Sequence, residues 1–145
     1  MSYRVRNYMR QDIVKADMGT SVFEASKIML EKDIGYLIVL EKDKPVGIVT
    51  VRDLALQVIA KARDPQKVKI SEIMSSPLVT IDPDSDVQEA VETMIKSGIR
   101  TLAVVRDGVL YGTFGARDLA SHFNEYSEIV TRDIIKSMAR LSIPF

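Results

Sequence analysis

The sequence predicts an α/β (α+β) fold made of two β-α-β-β-α units packed as a pseudo-two-fold pair. The first observation behind this is internal repetition: residues 8–55, moved forward by 65 positions without a gap, fall on residues 73–120. Met9 then matches Met74, Asp17 matches Asp82, Glu24-Ala25 match Glu89-Ala90 and Gly47 matches Gly112. Arg52-Asp53-Leu54-Ala55 recurs as Arg117-Asp118-Leu119-Ala120. Repetition on this scale sets the architecture before any single element does. The second observation is a change of hydrophobic period inside each copy, from helical to strand-like. The third is size. A copy of roughly 50 residues would bury too little apolar surface alone, so the two are expected to share a core.

Each element has a local reason. Ser21 and Glu24 stand in capping-box spacing, and Asp86 and Glu89 repeat it, so a helix is expected to start at each place. Val22, Ala25, Ile28 and Met29 follow a helical stripe, as do Val87, Ala90 and Met94. Gly98 suits the left-handed residue that ends a helix, with Asp33 in that place in the first copy. The runs Ile34–Leu40 and Ile99–Val105 are short and β-branched, and read as buried strands. Asp107-Gly108 predicts a hairpin turn, with Glu41–Lys44 as a looser counterpart. Return strands follow at Val46–Thr50 and Val109–Gly115, and a second helix begins near Arg52-Asp53 and Arg117-Asp118. Short strands at Ile13–Lys15 and Leu78–Ile81 precede the first helix of each copy.

On this reading residues 5–60 form the first unit, 61–69 a solvated linker, 70–125 the second unit and 126–145 a C-terminal helical extension. In the extension Phe123, Tyr126, Val130, Ile134 and Met138 make a stripe suited to core or subunit contact.

Composition narrows the function. Lys+Arg and Asp+Glu balance at 20 each, so there is no basic footprint for nucleic acid. The longest purely apolar stretch, Tyr36–Leu40, is too short to span a bilayer, and no export signal opens the chain. A cytoplasmic protein without a membrane partner is expected. With no cysteine and a single histidine, His122, thiolate chemistry and a metal site are not expected. No Walker loop, nucleophile–base set or isolated carboxylate pair marks an enzyme.

The strand-to-helix turn carries the chemistry. It reads Gly47-Ile48-Val49-Thr50-Val51-Arg52-Asp53 in one copy and Gly112-Thr113-Phe114-Gly115-Ala116-Arg117-Asp118 in the other. A helix start offers unpaired N–H groups to a phosphate, and Thr50 adds a hydroxyl. Asp53 could accept two hydrogen bonds from vicinal ribose hydroxyls. Arg52 and Arg117 are unfavourable in a first helical turn unless an anion offsets them. The same Thr50-x-x-Asp53 spacing is also a plain capping box. Recurrence at the same point of a repeat favours a ligand site, although Gly115 has lost the hydroxyl.

On these residues the chain resembles a tandem CBS-domain pair, or Bateman module, over about residues 5–125. The pattern G-h-x-[ST]-x-x-D is met in full by Gly47–Asp53 and by Gly112–Asp118 except at Gly115. The proline common in the family's middle strand is replaced by Ile38 and Ala103. The resemblance implies adenosine ligands (AMP, ADP, ATP or S-adenosylmethionine) in clefts between the units, with no other cofactor required. It implies one site from Thr50, Arg52 and Asp53 with Val79, Ile99 and Arg100, and a twin from Arg117 and Asp118 with Val14, Ile34 and Gly35. The expected function is a nucleotide-binding regulatory module, homodimeric and acting on a separate protein. The alternative is a ligand-free interaction scaffold on the same fold.

Overall fold

The computed structural model of the chain describes residues 3–122 and 128–140. It is a mixed α+β structure with two three-stranded sheets. Packing groups Ile13–Leu78 into a first unit, and Met1–Asp12 with Val79–Phe145 into a second.

The first unit contains β1 (Lys15–Asp17), α1 (Val22–Lys32), β2 (Tyr36–Glu41), β3 (Lys44–Thr50) and α2 (Val51–Leu54), which runs on as a π-helical turn over Ala55–Ile59. Its sheet order is β1-β2-β3, with β1 parallel to β2 and β2 antiparallel to β3. A parallel pair needs a long crossover, and α1 supplies it. The second unit repeats the plan with β4 (Thr80–Ile81), α3 (Val87–Ser97), β5 (Thr101–Arg106), β6 (Val109–Gly115) and α4 (Ala116–Ser121), and adds α5 (Glu128–Arg140). β1 lies two residues beyond the expected Ile13–Lys15, whereas β4 is the second half of the expected Leu78–Ile81.

The helix ends follow the local signals. Ser21 Oγ accepts the Glu24 N–H at 3.1 Å, and the Asp86 carboxylate accepts the Gln88 N–H at 3.2 Å. Asp33 and Gly98 close the two helices in the left-handed region, with φ of 52° and 65°. The hairpins correct the sequence reading. Lys42 and Asp43 have φ of 48° and 66°, matching 52° and 76° at Asp107 and Gly108. Both loops are therefore two-residue turns of the same hand, because strand twist demands that geometry whether or not glycine is present.

The stretch 61–69, expected as a solvated linker, also has a structural task. Its Val68 is buried in the first unit's core, and the carbonyls of Val68 and Pro65 accept the Val22 and Phe23 N–H groups at 2.8 and 2.9 Å. Those are N–H groups that the start of α1 cannot satisfy internally. In α5, Ile134 is buried in the second unit's core and Met138 packs against it. Phe123 and Tyr126 of the expected stripe lie outside the described residues, as does the side chain of Val130.

A further finding concerns the segments that lead each copy. Short 3-10 turns occupy Val5–Asn7 and Ile70–Glu72, which are repeat-equivalent positions. Val5 is fully buried in the second unit's core and Ile70 in the first unit's. Arg10 exchanges backbone hydrogen bonds with Thr113 at 2.8 and 3.0 Å, and Ser75 does so with Ile48 at 2.9 and 3.1 Å. The leading segment of each copy is thus built onto the sheet made by the other. Packing divides the chain at Asp12 and Leu78, out of phase with the repeat.

Candidate functional site

The two signature turns close the antiparallel strand pairs. Tyr36 faces Thr50 at the end of one ladder, and Thr101 faces Gly115 at the end of the other. The next residue turns into the helix and donates back: Val51 N–H to the Gly35 carbonyl at 2.9 Å, Ala116 N–H to the Arg100 carbonyl at 3.2 Å. Each of the two residue sets expected from the family pattern draws on both units. Inside the first unit the structure gathers Gly35, Thr50, Arg52 and Asp53 at one sheet end, with Val14 and Ile34 buried in the core beneath. Inside the second it gathers Arg100, Arg117 and Asp118, with Val79 and Ile99 packed against the core. Arg52 and Arg117 are exposed.

Thr50 and Asp53 are closely interlocked. Asp53 Oδ2 accepts the Thr50 N–H at 2.8 Å and the Thr50 hydroxyl at 3.1 Å, while Thr50 Oγ1 accepts the Asp53 N–H at 3.2 Å. This is a complete capping box. Both bonds to the carboxylate fall on Oδ2, so Oδ1 is the oxygen a ligand hydroxyl would meet. The Thr50 hydroxyl would have to leave Asp53 in order to reach a phosphate.

The second unit keeps half of this device. Asp118 Oδ2 accepts the Gly115 N–H at 2.8 Å. No side chain fits at position 115. A β-carbon there would lie 2.7 Å from the Arg100 carbonyl oxygen and 3.0 Å from Thr101 Oγ1. Backbone torsions are not the reason, since Gly115 is extended with φ of −145°. The hydroxyl is missing because β5 passes too close. Burial pushes the Asp118 carboxyl above the usual carboxylate range, while the Gly115 N–H and the nearby Arg10, His122 and Arg117 pull it back.

The signature glycines have a similar steric reason. A β-carbon on Gly47 would lie 2.7 Å from Met74 Sδ and 2.8 Å from the Ser75 carbonyl oxygen, and one on Gly112 would overlap the Arg10 carbonyl oxygen. These glycines make room for the leading segment that crosses the sheet. Sequence reading missed Arg10 and Tyr8 as neighbours of the Asp118 turn, because both belong to the leading segment of the first copy while packing on the second. The Tyr8 ring meets His122 edge-on at 5.0 Å. The 65-residue repeat could have found them only together with the exchange of leading segments.

A separate cluster anchors the leading segment of the second unit. Asp84 accepts from Arg6 Nε at 2.5 Å and Arg106 Nη2 at 2.5 Å, and Arg106 also forks onto Asp82 at 2.7 and 3.1 Å. These bonds hold the Asp84 carboxyl down at about 2. Among the described residues, no group of three His, Cys, Asp or Glu is placed to hold a metal ion, and no helix is long and apolar enough to cross a membrane.

Two three-stranded sheets, each ending in the same carboxylate-bearing turn, make a duplicated module. The CBS domain profile matches residues 5–59 and 70–125, and the chain belongs to that family. An uncharacterized protein of Methanopyrus kandleri is 36% identical over 120 residues, covering 81% of this chain and 61% of its relative. The chain thus spans about three-fifths of the length of that relative. Among solved structures, a conserved CBS domain protein of unknown function from Thermoplasma acidophilum superposes with a TM-score of 0.81 at 28% identity, over 96% of this chain and 78% of that one. The hexameric CBS-CP12 protein of bloom-forming cyanobacteria gives 0.79 at 30% identity, over 88% and 77%. As a CBS domain pair, the chain falls in a class that is generally regulatory and ligand-binding.

Proposed function

We propose that the chain is a sensor that binds an adenine nucleotide, AMP foremost with ADP or ATP as alternatives, and conveys its presence to a separate protein. S-adenosylmethionine belongs to the same chemical class of ligand. The observation that carries this reading is the recurrence of a carboxylate at Asp53 and Asp118. Each is fixed through Oδ2 by the N–H three residues before it. Such a group presents its remaining oxygen to a ribose at no further ordering cost. A homodimer in the cytoplasm is the proposed working form, and oligomeric assembly of the hexameric relative supports it.

The scaffold reading has its own support. The Thr50–Asp53 box closes on itself without any ligand, and Leu30 and Ile59 stand 81% and 76% exposed. Thermal unfolding against AMP, ADP, ATP and S-adenosylmethionine separates the two, because a ligand of the native state raises its stability by mass action. Asp53→Ala then isolates the carboxylate. A ribose acceptor predicts a loss of about 1.5–3 kcal/mol in binding, roughly ten- to more than hundredfold. A pure cap predicts about 0.5–2 kcal/mol lost from folding with AMP affinity unchanged. A chain that no nucleotide stabilises is a scaffold.

A further inference from the structure

The two signature turns differ most in what surrounds them. Around Asp118 stand three basic side chains, Arg10, Arg117 and His122. The repeat-equivalents of Arg10 and His122 are Ser75 and Gln57, both neutral, and only Arg117 has a basic counterpart, Arg52. Arg10 is delivered by backbone: it is paired both ways with Thr113, two residues before Gly115, and the glycine at 112 admits its carbonyl. Its position against β6 is therefore fixed by the fold.

We infer that Arg10 is the phosphate-binding cation of the site containing Asp118, in the role that the Thr50 hydroxyl would take in the site containing Asp53. The inference rests on the nucleotide reading above and adds to it which residue holds the phosphate. Steric exclusion at Gly115 removes the hydroxyl donor from this turn. A guanidinium offers a fork of donors matched to phosphate oxygens and keeps its charge at any physiological pH. At present Arg10 donates to its neighbour Asp12, from Nε to the carbonyl oxygen at 2.9 Å and from Nη2 to the carboxylate at 3.3 Å. Asp12 is 71% exposed in that pair. An exposed pair of this kind is held weakly, and a dianionic phosphate competes well for the fork. The two sites then discriminate differently. The Asp118 site gains more from each phosphate charge and loses more in salt.

The test is titration calorimetry of the full chain with AMP and with adenosine, on wild type, Arg10→Ala and Arg10→Lys. Arg10→Ala is expected to weaken AMP about ten- to hundredfold at one site while adenosine changes by less than about twofold. Arg10→Lys keeps the charge without the fork and falls between. Unchanged AMP binding in Arg10→Ala, or equal weakening of AMP and adenosine, overturns the inference and leaves the nucleotide reading standing. Wild-type protein that binds neither compound overturns both. Should Arg10→Ala not fold, Asp12→Ala frees the guanidinium instead and is expected to tighten AMP but not adenosine; no change there counts against Arg10.

Discussion

A β-carbon built on Gly112 would overlap the backbone carbonyl oxygen of Arg10. The two residues come from opposite ends of the described fold, yet the hydrogen-bonded pair Arg10–Thr113 holds them together. Gly112→Ala must therefore displace a backbone, which no rotamer change relieves. A loss of about 1–3 kcal/mol in folding stability is expected, the usual cost of overpacking. Gly47→Ala meets Met74 Sδ first, which can move in part, and should cost less. Denaturant melts on the two mutants provide the comparison.

The exchange of leading segments predicts which fragments fold. Residues 13–78 hold every strand of the first sheet together with Val68, Ile70 and Ile73 of its core. Expressed alone, they should show cooperative unfolding and dispersed amide resonances. Residues 1–60 match one repeat more closely but lack those three core residues, and should remain unfolded. A folded 1–60 and an unfolded 13–78 would reverse the assignment of the segments.

Restoring the missing hydroxyl should fail. Gly115→Thr places a β-carbon against the Arg100 carbonyl oxygen, so it is expected to lower stability by about 1–3 kcal/mol rather than strengthen the helix start. Thr50→Ala, by contrast, loses only its cap, about 0.5–2 kcal/mol. Thermal unfolding of both mutants decides.

Acid should act on the second unit with two opposing signs. Asp84 is held at about 2, below its ordinary 3.8, by hydrogen bonds from Arg6 and then Arg106. Its contribution to stability is present above about pH 4 and is lost as pH falls toward 2. Asp118 is raised by burial, so it favours the fold when protonated and weighs against it as pH rises through its raised value. Asp84→Asn should flatten the acid limb of stability between about pH 4 and 2. Asp118→Asn should stabilise the protein at pH 7, since an amide oxygen can still accept the Gly115 N–H. Denaturant melts from pH 2 to 7 test both.

Self-association should depend on the apolar side chains that the first unit leaves in water. Leu30 is 81% exposed on α1 and Ile59 76% exposed beyond α2. On α3 the residue equivalent to Leu30 is Ile95, which packs against a core that Ile134 of α5 joins. Leu30→Glu with Ile59→Glu should shift sedimentation at micromolar concentration toward the 16.2 kDa monomer while leaving the melting temperature nearly unchanged.

Most of the fold could be read from local signals. Ser21, Gly98 and Asp107-Gly108 each favour, at their spacing from the apolar runs, the local geometry found there, so helix starts, helix ends and a hairpin were legible. The matched turn at Lys42-Asp43 was not, because there the twist of β2 and β3 sets the geometry and the residues merely tolerate it. The signature residues Thr50, Asp53 and Asp118 could be placed from the repeat. Arg10 could not, since its partner Thr113 lies far along the chain and no periodicity records so distant a pairing. Gly115 was legible as a lost hydroxyl, but its cause, the approach of the Arg100 carbonyl, needed coordinates.

The same strand pairing is formed across very different stretches of chain, and this bears on the order of assembly. Ser75 reaches Ile48 across roughly 30 residues, whereas Arg10 waits for Thr113 across roughly 100, a closure costing about 1 kcal/mol more in chain entropy. During synthesis the stretch Ile13–Leu78 is complete as soon as Leu78 has emerged. The segment around Arg10, made before β6, can settle only after β6 exists. Val5 is consequently made well before the second-unit core that shelters it, so the growing chain carries an uncovered hydrophobe while the whole first sheet is being formed.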